Sequence, residues 1–226
     1  MKEMRVGLVG IGKLGAAMMT HWYNNHVKIG IYHPSKIKVQ AFLEGFPNGY
    51  FLTESELLQV DILVLALPAQ EVIPFISGIV AKENPDTIFI NMATALDTNE
   101  VKGKFPALHV LGVKYMGHSR DLMEHGNGLF ITEETLPSQV EELYSHLGQI
   151  KVDQESRLTE VNKLATYLAV QAAVDIENEF TRRGFSPDYV KRALTSLAPE
   201  VIRSYSEGSL GHFANEVVEE IRKKDS

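Results

Sequence analysis

The run Gly7-Leu8-Val9-Gly10-Ile11-Gly12-Lys13-Leu14-Gly15 constrains this chain more than any other stretch. It follows the apolar residues Met4 to Val9 and leads into the helix-prone Ala16-Ala17-Met18-Met19. The spacing Gly10-x-Gly12-x-x-Gly15 therefore falls where a strand hands over to a helix. At such a join Gly10 permits a tight turn, Gly12 leaves backbone bare for the approach of a pyrophosphate, and Gly15 lets the helix pack closely on the strand. The unpaired N–H groups and the dipole of the first helical turn favour an anion at the same place. A glycine-rich turn that binds nothing is the other reading, and the strand-and-helix context weighs against it.

The rest of the first two-thirds alternates short apolar runs with amphipathic stretches, the pattern of a parallel sheet covered by helices. Strands are predicted at residues 5–9, 27–32, 62–67, 87–91, 107–113 and 128–132. Thr53 with Glu56, and Asp97 with Glu100, have capping-box spacing, and Gly126-Asn127-Gly128 marks a turn. A helix is expected over 138–147 with Gly148 as its C′ residue. Beyond residue 153 the pattern changes. No glycine or proline occurs from Ser156 to Arg183, and Val161, Leu164, Leu168, Ala172, Ile176 and Phe180 recur at helical spacing. Gly184 stops that helix, Ser186-Pro187 reads as N-cap and N1 of the next, and further helices are expected over 199–205 and 210–222, before a solvated tail. The fold class predicted is α/β: an N-terminal Rossmann doubly wound sheet over 1–153, then a small all-helical domain over 154–226.

With 226 residues the chain suffices for both parts. A net charge of −7 and the lack of a basic stripe argue against a nucleic-acid partner. There is no cysteine, hence no disulfide or thiolate site, which points to a reducing cytoplasm. The histidines lack ligand spacing, so no metal is expected. The longest apolar run, 62–68, is too short to span a bilayer. Glycines, Lys13 and the following His21-Trp22-Tyr23-Asn24-Asn25 argue against a secretory signal. Trp22, Tyr23, Met18 and Met19 are expected to pack in the core, and Glu216, Glu219 and Glu220 to form a solvated helix face.

In two places, Val6 to Gly15 and Asp61-Ile62-Leu63-Val64-Leu65-Ala66-Leu67-Pro68-Ala69-Gln70, the chain resembles the pyrroline-5-carboxylate reductase group of the wider 6-phosphogluconate-dehydrogenase-like superfamily. Asn91-Met92-Ala93-Thr94 is similar to another cofactor-facing turn of such proteins. The resemblance implies a nicotinamide dinucleotide bordered by Gly10, Ile11, Gly12, Lys13, Leu14, Gly15, Leu67, Pro68, Gln70, Met92 and Ala93. The reductases' serine-glycine-serine-glycine-proline-alanine run is absent, and Glu160-Val161-Asn162-Lys163-Leu164-Ala165-Thr166 stands near its place. Asn162 to Thr166 is similar to the lysine-x-x-asparagine segment of β-hydroxyacid dehydrogenases, with Thr166 for the asparagine. Met116-Gly117-His118-Ser119-Arg120 is similar to the histidine-bearing loop of prephenate dehydrogenases. The resemblance also implies a homodimer formed through the C-terminal helices.

No acid follows the second strand until Glu44, whereas His33, Ser35, Lys36 and Lys38 offer positive charge and donors. That favours the 2′-phosphate of NADP over the 2′-hydroxyl of NAD; Ser35 as a plain N-cap beside surface lysines is the plainer reading of the same residues. For the proton that accompanies a hydride, Lys163 and His118 are the catalytic candidates. Asn162 and Thr166 share a helix face with Lys163, and Ser119 and Arg120 suit a substrate carboxylate. Lys163 paired with Glu160, and Arg120 paired with Asp121 or Glu124, are the structural alternatives. The expected activity is an NADP-dependent oxidoreductase acting on a small imine, keto or hydroxy substrate. A catalytically inactive NADP-binding sensor or assembly protein, and a deazaflavin-dependent NADP reductase, are the rivals.

Overall fold

In a computed structural model, residues 4–80 and 86–224 are described. The chain divides into two compact units, Met1–Asn162 and Lys163–Ser226.

The first unit begins β1 (Val6–Val9), α1 (Lys13–Asn24), β2 (Ile29–Tyr32), α2 (Lys36–Leu43) and β3 (Gly49–Phe51). It continues through β4 (Ile62–Leu65), α3 (Ala69–Ile79), β5 (Ile88–Asn91), α4 (Thr98–Lys104) and β6 (His109–Gly112). These six strands form one parallel sheet in the order β3-β2-β1-β4-β5-β6. All four residues of β1, β4 and β5 are buried, which is why they read as unbroken apolar runs rather than alternating ones. The order reverses at β1, with β2 on one side and β4 on the other, and a crevice opens at the carboxyl ends of such a pair. The doubly wound α/β class is as expected.

The strand at 128–132 does not join that sheet. Beyond β6 the chain passes through Val113 alone into β7 (Lys114–Met116), then α5 (Ser119–His125), β8 (Gly128–Thr132), α6 (Ser138–Ser145) and β9 (Gly148–Val152). β7, β8 and β9 make a second, three-stranded sheet, antiparallel at β7·β8 and parallel at β8·β9. Gly148 is accordingly not the C′ residue of a helix; α6 ends earlier, with His146 as C-cap, and Gly148 starts β9.

Apolar side chains fill both faces of the main sheet. On one face Trp22, Met18 and Met19 of α1 are fully buried with Leu8, Ile31 and Ile62. The Trp22 indole N–H donates to the Leu143 carbonyl at 3.0 Å, tying α1 to α6. Tyr23 is the exception to its predicted packing: it is exposed, one residue round the helix from Trp22. On the other face lie Leu52, Leu57, Leu63, Leu65, Phe89 and Val101. Thr53 and Glu56 form the expected capping box, which holds the Glu56 carboxyl below its ordinary value. Asp97 caps α4, its Oδ1 accepting from the Asn99 N–H at 2.8 Å.

From Glu155 the chain is helical. α7 (Glu155–Arg182) crosses from the first unit into the second, followed by α8 (Pro187–Arg192), α9 (Ala198–Glu207) and α10 (His212–Lys224). Ser186 and Pro187 take the predicted N-cap and N1 positions. Residues 222–224, expected as a tail, complete the last turn of α10; residues 225–226 lie outside the described residues. The apolar residues that recur at helical spacing along α7 include exposed ones in the single chain, Leu164 by 59% and Leu168 by 54%. Among the described residues no helix is long and apolar enough to cross a membrane.

Candidate dinucleotide-binding site

The glycine turn sits at the carboxyl end of β1, in the crevice where the strand order reverses. Gly10 has φ +111°, and a Cβ there would stand 2.2 Å from the Ala66 carbonyl oxygen of the neighbouring chain segment. Only glycine fits. A Cβ on Gly15 would meet the Gly10 carbonyl oxygen at 2.1 Å, so α1 lies against the turn at backbone distance. Gly12 differs from both, because a Cβ there would meet nothing within 4 Å. Its open side is the space in front of the first turn of the twelve-residue α1, where free N–H groups favour an anion.

Two hollows share Gly12, Ala66, Leu67 and Pro68 and so form one groove across the carboxyl ends of β1 and β4. The larger, about 910 Å³, runs toward the end of β2 and is lined there by Tyr32, His33, Pro34, Lys38 and Phe42, with Gln70, Glu71, Pro74 and Phe75 from α3. Tyr32 and Phe75 stand 5.9 Å apart between ring centroids, giving an aromatic wall suited to a planar base. The smaller, about 570 Å³, runs toward Met92, Ala93, Thr94, Ala95, Tyr115, His118, Ser119 and Asn162. These dimensions are those of small-molecule sites. Gly12 in the middle, an aromatic pocket at one end and a turn with polar neighbours at the other fit a dinucleotide.

Of the residues singled out from sequence, Gly10, Ile11, Gly12, His33, Leu67, Pro68 and Gln70 line the larger hollow. Lys13, Leu14, Gly15, Met92, Ala93, His118, Ser119 and Asn162 line the smaller. The basic end of the groove is rearranged relative to expectation. The Lys36 ammonium stands 5.3 Å over the ring of Phe51, and the lysine lining the hollow is Lys38. Ser35 occupies the N-cap position without a side-chain cap bond; its N–H donates to His33 Nδ1 at 2.9 Å, which leaves His33 Nε2 to face a ligand.

His118 is exposed and is the N-cap of α5, its Nδ1 accepting from the Arg120 N–H at 3.3 Å. Arg120 is engaged along its own helix: Nε donates to Glu124 Oε1 at 2.8 Å, which raises the guanidinium further above its ordinary value. It borders a neighbouring hollow with Lys13 and Met123. On α7, Glu160 pairs with Arg157 at 3.5 Å. Lys163 and Thr166 are exposed and belong to the second unit. Lys38 was named from sequence beside Lys36 as a source of positive charge, and it is the one that lines the hollow. Tyr32, Phe75 and Tyr115 were not picked out as groove residues; they carried no signal, since any buried face calls for aromatic residues equally.

Strand order, glycine turn and groove together define a fold of the NAD(P)-binding oxidoreductase type. The family model for the NAD binding domain of 6-phosphogluconate dehydrogenase matches residues 5–118, just over half of the sequence, and the chain belongs to this family. Among the solved structures that share its fold are three of known or assigned type. Pyrroline-5-carboxylate reductase (proC) from Coxiella burnetii is 13% identical over 96% of this chain and 84% of that one, with a TM-score of 0.68. A putative oxidoreductase from Pseudomonas putida KT2440 is 16% identical over 98% and 77%, with a TM-score of 0.70. The 3-hydroxyisobutyrate dehydrogenase (ygbJ) from Salmonella typhimurium is 15% identical over 92% and 80%, with a TM-score of 0.65. At such identities the likeness is one of fold. No curated protein matches the sequence.

Proposed function

We propose that this protein is an NADP-dependent oxidoreductase that moves a hydride between nicotinamide and a small imine, keto or hydroxy compound. The observation that carries the proposal is the groove centred on the open face of Gly12, with an aromatic and basic end at β2 and a polar end at α5. When bound, the nicotinamide supplies the hydride chemistry. The first turn of α1 holds the pyrophosphate through backbone N–H groups. Tyr32 and Phe75 take the adenine, and His33 and Lys38 take the 2′-phosphate, the charge-assisted contact that favours NADP. Leu67, Pro68, Met92 and Ala93 exclude water around the ring that reacts.

For the proton, His118 Nε2 is the group at the polar end of the groove, because Nδ1 is occupied as the helix cap. Asn162 lines the same polar end as a substrate-binding neighbour, and Ser119 with Arg120 is assigned to a substrate carboxylate. The lack of cysteine suits a reducing cytoplasm, and the exposed apolar stripe of α7 suits a homodimer.

Nicotinamide fluorescence titration with NADPH and NADH tests the reading. Wild type is expected to bind NADPH at least about tenfold more tightly, the scale of one charge-assisted contact. Lys38→Glu should abolish that preference, and Lys36→Glu should leave most of it. Equal losses for both cofactors in Lys38→Glu would remove the 2′-phosphate assignment, and no binding of either cofactor by wild type would remove the oxidoreductase reading.

A further inference from the structure

Beneath the Met92-to-Ala95 wall of the groove lies a cluster of buried polar groups that the proposed reaction does not use. Lys114, the first residue of β7, is 1% exposed. Its Nζ donates to the carbonyl oxygens of Ala93 at 2.7 Å and Leu96 at 2.9 Å and stands 3.5 Å from Glu155 Oε2. An ammonium has three donors and no acceptor, and these three oxygens match them. Glu155, the first residue of α7, accepts from the Thr98 hydroxyl at 2.5 Å and from the Thr98 N–H at 3.1 Å. Asn91, at the end of β5, donates to the Leu96 carbonyl and accepts from the Ala93 N–H, both at 3.1 Å. Gly112, at the end of β6, makes the room: a Cβ there would stand 1.9 Å from Glu155 Oε1.

We propose that Lys114 is a positioning residue: paired with Glu155, it clamps the turn between β5 and α4 into a preformed wall for the nicotinamide half of the cofactor. This rests on the dinucleotide reading above. Stability alone does not call for such a pair, because apolar residues of similar volume replace buried ion pairs at little or no loss. What an ammonium does, and a methyl group does not, is hold two carbonyls of one turn at fixed points. The opposite side of the same turn lines the groove. A wall set before binding spares the cofactor the cost of ordering it.

The double variant Lys114→Met/Glu155→Gln removes both charges together and leaves no unpaired buried ion. Calorimetric titration of wild type and variant would use NADPH and 2′-phospho-ADP-ribose, which lacks the nicotinamide. The Kd for NADPH is expected to rise about tenfold in the variant while that for the fragment stays unchanged, since only the nicotinamide half loses its preformed wall. Parallel loss of both ligands, or loss of neither, would overturn the clamp and leave the dinucleotide reading standing. Failure of wild type to bind either ligand would overturn both. A second measurement needs no variant. In free wild type the amides of Ala93, Leu96 and Thr98 should exchange with deuterium as slowly as those of β5. Rapid exchange that slows only when NADPH is added would show that the cofactor orders the wall, and the proposal would fall.

Discussion

Burial lowers the Lys114 ammonium from its ordinary value to about 8, while the carboxylates of Glu155, Asp97 and Glu133 oppose that fall. In the unfolded chain the same group titrates at its ordinary value of about 10.4. Between those values the unfolded state binds more protons than the folded state. Stability therefore rises with pH in this window, by at most about 1.4 kcal/mol per pH unit. Tyr144 acts in the opposite sense at higher pH. Its phenol is fully buried and pushed far above its usual range, so above about pH 10 the unfolded state releases a proton that the folded state keeps. Urea midpoints should climb from about pH 8 to about 9.5 and fall again past about 10.5. Lys114→Met should lack the climb and keep the fall; an identical climb in that variant would assign it to another group.

At the scale of elements, the joint between β1 and α1 separates packing from binding within six residues. Gly15 is required by steric contact with the Gly10 carbonyl, whereas Gly12 has space in front of it. Gly15→Ala must push α1 off β1 and should cost roughly 1–3 kcal/mol of stability, as overpacking does. Gly12→Ala should leave the urea midpoint nearly unchanged, within about 1 kcal/mol for an N-cap position, yet weaken NADPH and NADH alike. The two variants, compared by urea denaturation and cofactor fluorescence, distinguish a structural glycine from one kept for a ligand. Loss of stability in Gly12→Ala comparable to that in Gly15→Ala would make the whole turn structural.

The second unit leaves large apolar side chains exposed along α7, α9 and α10, among them Leu164, Leu168, Ile202, Tyr205, Phe213 and Ile221. So small a helical unit has little interior to hide them in, and a second copy of the chain is the proposed cover. Wild type should sediment as a dimer at micromolar concentration, and Leu164→Glu/Leu168→Glu as a monomer with its far-ultraviolet circular dichroism retained. A monomeric wild type would remove the homodimer from the proposal.

Strands β1, β4 and β5 were legible in the sequence because both their faces are buried, so apolar runs bounded by turn residues could be read without knowing their neighbours. The glycine turn was legible for a similar reason, since backbone sterics demand glycine there whatever surrounds it. β3, β7 and β9 were not legible. They are short or polar, and β3 and β9 are only partly buried, so none of them stands out as an unbroken apolar run. Lys36 and Lys38 looked alike in sequence, and the direction of α2 decided that one covers Phe51 while the other enters the groove. Lys114 falls one residue beyond the strand predicted over 107–113 and carried no signal of its own in the sequence. What made it the clamp of a turn was Glu155, brought beside it by the meeting of β7 with the start of α7. Local covalent geometry and apolar pattern thus determined the class of the fold and the place of the phosphate turn. Burial depends on partners distant in the chain, so only the tertiary structure decided which charges are surface and which hold the site in shape.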